Sequence, residues 1–496
     1  MLRKIRLTFA MICFVLITLL FLDFTGTLHG WFGWLAKIQF LPAVLALNVG
    51  VILFLVILTL VCGRIYCSVI CPLGVFQDIL AWLGRQPKKR RKLPYSYSPA
   101  LSWLRYGVLG VFIIALIAGI GSLAALLAPY SAYGRIAQTL FSPIYIWCNN
   151  LLAYVSERAG SYAFYEREVW LRALPTLVLA AVTLVVVVIL AWRDGRTYCN
   201  TICPVGTVLG IFSRHALFKP VIDTDKCRNC SLCARGCKAS CIDYKNHKID
   251  YSRCVACMDC IDNCKHDALH FEMRKKSVAS VTAKAADEQK IDASRRSFLV
   301  GAGVILGTAV AHAQGKTVDG GLAVILDKKI PNRNTPIVPP GAVSLKHLED
   351  HCTGCQLCVA VCPNDVLRPG KLMKPHSSYE RGYCRPECTK CSEVCPADAI
   401  LKITPAEKSS TQIGHAVWVK KNCVPLTDGV ECGNCARHCP AGAITMVASN
   451  PNDEASVKIP VVNEERCIGC GACENLCPAR PFSAIYVEGH EQHKTI

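Results

Sequence analysis

Long uncharged apolar runs fill the first two fifths of the chain, and short polar stretches punctuated by cysteine fill the rest. Leu7 to Leu22, Phe40 to Val61, Tyr106 to Leu127 and Ala173 to Trp192 carry no charge, and each is about long enough to span a bilayer as a helix. Four such runs so close together predict an α-helical membrane domain of four transmembrane helices over residues 1–220, rather than buried helices of a soluble core. The loop after the second run holds Arg85, Lys88, Lys89, Arg90, Arg91 and Lys92 and no acid, whereas residues 129–172 balance four bases against three acids. By the positive-inside rule the basic loop, Met1 and the segment after Trp192 face the cytoplasm.

A fifth apolar run, Val300 to Ala311, is short for a span. It follows Ser294-Arg295-Arg296-Ser297-Phe298-Leu299 and ends in Ala311-His312-Ala313. An arginine pair, a signal-length apolar core and an Ala-x-Ala end are the features of a twin-arginine export signal, here internal at residues 294–314. The segment is either held as a fifth signal or anchor helix or cut after Ala313. Either way the export machinery is an expected partner, residues 221–275 stay cytoplasmic and residues 344–496 lie in the periplasm. Residues 276–293, rich in Lys, Ser, Ala, Asp and Glu, form one linker, and the Pro-rich residues 315–343 form another.

A repeat ties the apolar runs together. Gly63-Arg64-Ile65-Tyr66-Cys67-Ser68-Val69-Ile70-Cys71-Pro72-Leu73-Gly74 aligns with Gly195-Arg196-Thr197-Tyr198-Cys199-Asn200-Thr201-Ile202-Cys203-Pro204-Val205-Gly206, with eight of twelve positions identical. Each copy follows an apolar run on the cytoplasmic side, so the membrane part reads as two parallel halves. Cys67, Cys71, Cys199 and Cys203 meeting at a pseudo-twofold axis would suit a metal, a cluster or redox-active disulfides. The plain reading is a turn in which Pro72 and Pro204 end helices and the thiols pack.

The cysteine count, 32 in 496 residues, changes the picture again. Most fall into C-x2-C-x2-C-x3-C runs, the ligand pattern of [4Fe–4S] clusters, which argues against a disulfide framework and against zinc. Residues 221–275 carry Cys227, Cys230, Cys233 and Cys237, then Cys254, Cys257, Cys260 and Cys264. In two-cluster ferredoxins the fourth cysteine of each run serves the other cluster. That predicts Cys227, Cys230, Cys233 and Cys264 for one cluster, and Cys254, Cys257, Cys260 and Cys237 for the other. Lys238 and Lys265 stand where such runs usually have proline. Cys13, Cys62, Cys148 and Cys241 read as packed residues.

Residues 344–496 carry four more runs: Cys352, Cys355, Cys358 and Cys362; Cys384, Cys388, Cys391 and Cys395; Cys423, Cys432, Cys435 and Cys439; Cys467, Cys470, Cys473 and Cys477. Each ends in Cys-Pro, at Pro363, Pro396, Pro440 and Pro478. The soluble parts are thus expected to be α+β ferredoxin-like modules, and the whole chain to hold six clusters. The net charge of +19 is partly counter-charge to these clusters, each carrying roughly −2 when oxidised. No nucleic-acid module, nucleotide loop or nucleophile–base arrangement stands out.

The four-helix part with its paired Cys-x3-Cys-Pro motifs and following ferredoxin module resembles the NapH family of membrane ferredoxins in periplasmic nitrate reductase systems. The arginine-pair segment and four-cluster domain resemble the exported NapG family. The long-gapped run Asn422-Cys423-x8-Cys432-Gly433-Asn434-Cys435-x3-Cys439-Pro440 and Ile459-Pro460-Val461-Val462 carry that second likeness. The resemblance implies electron transfer from quinol in the lipid bilayer, acting as a quinol dehydrogenase component, toward a periplasmic redox partner such as a reductase. The competing expectation is an assembly factor that reduces a metal centre or disulfide of a partner enzyme. The resemblance also implies a nested C-terminal pairing, runs one with four and two with three; sequential pairing is the alternative. Arg64, Arg196 and His29 are candidate quinone contacts.

Overall fold

The structure is a computed structural model that describes residues 2–84, 95–170, 172–273, 327–370 and 373–496. The arginine-pair segment and the basic loop at Arg85–Lys92 lie outside these residues. The helical part comprises α1 (Leu2–Leu22), α2 (Phe40–Leu45), α3 (Val49–Cys62), α4 (Ile65–Val69), α5 (Pro72–Leu83), α6 (Ser102–Ile117), α7 (Gly121–Leu127), α8 (Pro129–Ile136), α9 (Ser142–Arg158), α10 (Leu174–Asp194), α11 (Thr197–Thr201) and α12 (Pro204–Ser213).

Two of the four expected spans form unbroken helices long and apolar enough to cross a membrane, α1 and α10. The other two are each broken. Leu47 adopts a left-handed φ of 50° and the Asn48 side chain accepts from Val51 N, which ends α2 and starts α3. Gly119, at φ 68°, separates α6 from α7. Only 28% and 22% of the apolar windows of α1 and α10 are buried, so most of their side chains are half-buried or exposed. Val178, Val182, Val185 and Ile189 on α10 and Phe9, Ile12 and Val15 on α1 are among those exposed.

The two repeats form two matching hairpins. Gly63 and Gly195 both take positive φ, 72° and 73°, where a side chain would be strained, and each turns the chain from a long helix into a one-turn helix, α4 or α11. Cys71 and Cys203 then extend, and Pro72 and Pro204 open α5 and α12. The prolines therefore begin helices rather than end them, because the first helical turn has no use for their missing N–H. The hairpins lock reciprocally. Arg64 donates from Nη2 to Cys199 O at 3.2 Å, and Arg196 donates from Nη1 to Cys67 O at 2.6 Å. A Cβ on Gly74 would lie 2.2 Å from Cys67 O, and one on Gly206 2.3 Å from Cys199 O, so each close approach needs glycine.

The first cysteine-rich module is bracketed by β1 (Phe218–Ile222) and β4 (Leu269–Met273), paired antiparallel, with the short hairpin β2 (Ile242–Asp243) and β3 (Lys248–Ile249) between them. It packs at the end of the helices where α1 begins. Arg3 pairs with Asp259 at 2.8 Å, and Lys238 Nζ lies 2.9 Å from Asp78 and 3.0 Å from Asp259. Asp78 also meets Arg196 at 2.7 Å and Arg6 at 3.3 Å. Lys238 thus has a structural reason to replace proline: its side chain joins the module to the helices, and its carbonyl accepts from Arg196 N at 2.8 Å.

The C-terminal part contains the hairpin β5 (Leu367–Pro369) with β6 (Pro375–Ser377), then β7 (Thr411–Trp418) paired with β10 (Ile485–Thr495), and between these β8 (Ile444–Asn450) paired with β9 (Asp453–Val462). It packs at the opposite end of α1. Lys390 Nζ donates to Thr25 O at 2.8 Å, Arg172 meets Asp365 at 3.7 Å, and Arg368 stacks 4.3 Å above the Trp170 ring.

Removing one partner of a buried ion pair leaves an uncompensated charge, at a cost on the order of 3 kcal/mol. Lys238→Ala is therefore expected to free the first module from the helices. Limited proteolysis of the purified full chain should release a fragment around residues 218–273 that the unsubstituted protein retains; identical cleavage patterns would refute this role.

Candidate iron–sulfur centres

Each expected ligand set can now be located. In the first module one cavity is lined by Cys227, Cys230, Cys233 and Cys264, with Ile222, Leu232 and Leu269 around them. A second is lined by Cys237, Cys254, Cys257 and Cys260. The crossed pairing expected from the spacing therefore matches the two cavities. The residues before the one-turn helices, Ser231 and Met258, take left-handed backbone, which curls each run around its cavity. These donor sets fit [4Fe–4S] clusters: each cavity is small and its exposed lining largely apolar, and the first offers four thiols and the second five.

Cys241 also lines the second cavity, with its Sγ 3.5 Å from that of Cys237. Sequence reasoning put it outside both sets, and its off-pattern spacing gave no signal of this approach. The Cys241 hydrogen bond holds the Cys237 thiol down, to about 7. Burial pushes Cys257 up, to about 12, so cluster loading there must displace a proton.

In the C-terminal part the runs pair in sequence order. Cys395 stands beside Cys352, Cys355 and Cys358, while Cys362 stands beside Cys384 and Cys391. Cys477 lies beside Cys423 and Cys435, and Cys439 beside Cys467, Cys470 and Cys473. The nested pairing is thereby corrected. The physical reason is the β7–β10 sheet, which brackets runs three and four as β1–β4 brackets the first module. The two halves touch where Cys384 N donates to Cys470 O at 2.9 Å. Lys408 supplies cationic charge there, with Nζ donating to Arg385 O at 2.6 Å beside Cys384 and Cys391.

Cys67, Cys71, Cys199 and Cys203 are all buried, and each lies within electrostatic range of the others. They do not share one helical face. Cys67 and Cys199 are in one-turn helices, Cys71 and Cys203 in the extended residue that follows, and the fold of each hairpin brings the pairs together. Gln77 Nε2 donates to Cys199 Sγ at 3.2 Å, and Gly206 N to Cys203 Sγ at 3.3 Å.

The three residues considered as quinone contacts are engaged elsewhere. Arg64 and Arg196 cross-link the repeats. His29 Nδ1 lies 3.3 Å from Asp23, whose carboxylate also accepts from Gly26 N and Leu28 N at the end of α1.

Known proteins agree with this chemistry. A model described as a 4Fe-4S binding domain matches residues 44–91 and 174–222, and models described as 4Fe-4S dicluster domains match residues 351–424 and 430–480. The ferredoxin-type protein NapF of Escherichia coli K12 is 27% identical over 174 residues, covering 35% of this chain and 99% of its own. The methylamine utilization ferredoxin-type protein MauM of Methylobacillus flagellatus is 29% identical over 152 residues, 29% of this chain and 64% of its own. An uncharacterised protein of Methanocaldococcus jannaschii is 26% identical over 275 residues, covering 54% of this chain and 94% of its own. No solved structure matches. With several 4Fe–4S domains and ferredoxin-type relatives, this chain is an iron–sulfur protein of the ferredoxin type, and its role is electron transfer.

Proposed function

We propose that the chain is a membrane-anchored relay that takes electrons from quinol and delivers them through six [4Fe–4S] clusters to a redox partner outside the cytoplasm. The observation that carries this reading is the opposed docking of the two cysteine-rich parts. Arg3 at the start of α1 holds the first module, and Thr25 just beyond its end meets the second. The 21 residues of α1 set the two ends about 31 Å apart, close to the hydrocarbon thickness of a bilayer. The exposed apolar faces of α1 and α10 support lipid contact. The basic loop at Arg85–Lys92 supports a cytoplasmic first module, and Arg295-Arg296 supports export of residues 344–496. The motif order shared with the NapH and NapG families supports quinol as donor.

The cluster ligands in this reading are the six sets described above. When bound, the clusters supply one-electron iron redox chemistry. The chain's own part is to hold them in order and exclude water. Cys355 and Cys395 stand next to Tyr130 at the helix end, so their set is the inner one of the C-terminal part. The sets of Cys384 and Cys470 follow through their backbone contact, and the set of Cys423, Cys432, Cys435 and Cys477 is outermost.

Protein purified anaerobically should carry about 24 irons from six complete sets and lose oxidised-cluster absorbance when titrated with a quinol. Preparations that reproducibly reach half that iron with stoichiometric zinc would defeat the reading, as would clusters that quinol leaves oxidised.

Sidedness is open to a separate test. In spheroplasts, added protease should digest residues 344–496 of the unsubstituted protein but not of the Arg295→Lys, Arg296→Lys variant. Protection of the unsubstituted domain, with digestion only in inverted vesicles, would put all six sets in the cytoplasm.

A further inference from the structure

The four cysteines of the paired hairpins stand apart from the six ferredoxin sets, and their surroundings ask for an anion. Arg64, Arg135 and Arg196 are among the largest fully buried side chains of the molecule. Arg196 is paired with Asp78. Arg64 and Arg135 have no carboxylate partner among the described residues. Arg64 bonds to Asn200 Oδ1, to Ser252 O and Cys199 O, and reaches Cys67 Sγ at 3.9 Å. Arg135 bonds to Ala125 O and Leu126 O, near Tyr198 and Cys355, so it faces the inner C-terminal set, and Arg64 is the charge that bears on the four thiols. Buried guanidinium charge without a counter-ion is costly, and four neutral thiols do not offset it. Four thiolates around an iron–sulfur core, with their net negative charge, would do so.

The position matters as much as the charge. One contiguous buried core runs from Cys257 and Cys260 of the first module, through Cys67, Cys71 and Cys203 with Tyr66, Tyr130 and Tyr198, to Cys355 and Cys358 of the second. Arg64 lies beside Cys254 on one side of the four thiols. On the other side Tyr66 lies beside Cys71 and Cys203, and Tyr130 lies beside both Tyr66 and Cys355. Each repeat brings only one Cys-x3-Cys pair, so neither segment matched by the binding-domain model completes a four-thiolate set through this motif alone.

We propose that Cys67, Cys71, Cys199 and Cys203 jointly ligate one further iron–sulfur cluster, and that it is the stage through which electrons pass between the two inner ferredoxin sets. The proposal rests on the electron-transfer reading above and gives it a route through the helices. Held by these four cysteines, such a cluster would supply a one-electron exchange in which no bond forms or breaks, the inner set on one side serving as reductant and the inner set on the other as oxidant. Arg64 and Gln77 act as positioning residues that donate to the ligand sulfurs.

The test uses the full chain, purified anaerobically and assayed for iron and acid-labile sulfide with low-temperature EPR. The unsubstituted protein should carry two to four irons beyond the roughly 24 of the six ferredoxin sets. Cys71→Ala, Cys203→Ala should lose only that surplus and one EPR signal. Gln77→Leu should keep the iron and shift the midpoint potential of that signal downward, since a hydrogen bond to a ligand sulfur favours the reduced cluster. Iron that stops at about 24 in the unsubstituted protein overturns the central cluster while leaving the six-cluster reading intact. An iron content in the double variant equal to that of the unsubstituted protein overturns it too. Should the double variant lose the six sets as well, the unsubstituted iron count and the Gln77→Leu shift decide.

Discussion

Arg64 and Arg196 sit in the middle of the molecule, each belonging to one hairpin and each bonded to a cysteine carbonyl of the other. The attachment of the first cysteine-rich module is built on that exchange. Arg196 carries Asp78 with it, Asp78 carries Lys238, and Lys238 carries the first cysteine-rich module. In a low-dielectric interior these charge-assisted bonds are strong when complete and costly when broken. The module is therefore oriented against the hairpins by a chain of ion pairs that continues inward, instead of by a surface patch that stops at its own edge. On the far side the junction is of a different kind. Gly134 leaves room for Cys355 O, and Trp170 takes two guanidinium groups on its ring, those of Arg368 and Arg381.

Much of the chemistry was legible in the sequence because thiolate ligands must recur at fixed short intervals to wrap a cubane core. Spacing predicted 24 ligand cysteines and the crossed pairing of the first module, and the two cavities of that module match its pairing. The repeat around Cys67 and Cys199 was equally legible, since eight identities in twelve positions need no structure to be seen. The pairing of the four C-terminal runs was not. Nested and sequential arrangements use the same cysteines at the same spacing, and what separates them is the long-range registry of β7 with β10, which no local pattern carries.

The helical part shows where hydropathy stops being informative. It found all four apolar runs but could not see that Leu47 and Gly119 interrupt two of them, because a left-handed residue within an apolar run leaves the average unchanged. Lys238 is the opposite case. By pattern it was an anomaly in place of a proline, and in three dimensions it is the tether. Cys241 was set aside for its irregular interval, although its sulfur lies 3.5 Å from that of Cys237.

The reciprocity of the hairpins bears on how such a duplicated unit can change over time. Gly74 gives way to the Cys67 carbonyl that Arg196 grips, and Gly206 gives way to the Cys199 carbonyl that Arg64 grips. Each half is thus the mould for the other, and a substitution in one copy is judged by the fit of its twin. A change at this seam in one copy therefore calls for an answering change in the other, 129 residues away for the Arg196–Cys67 contact and 135 for the Arg64–Cys199 contact.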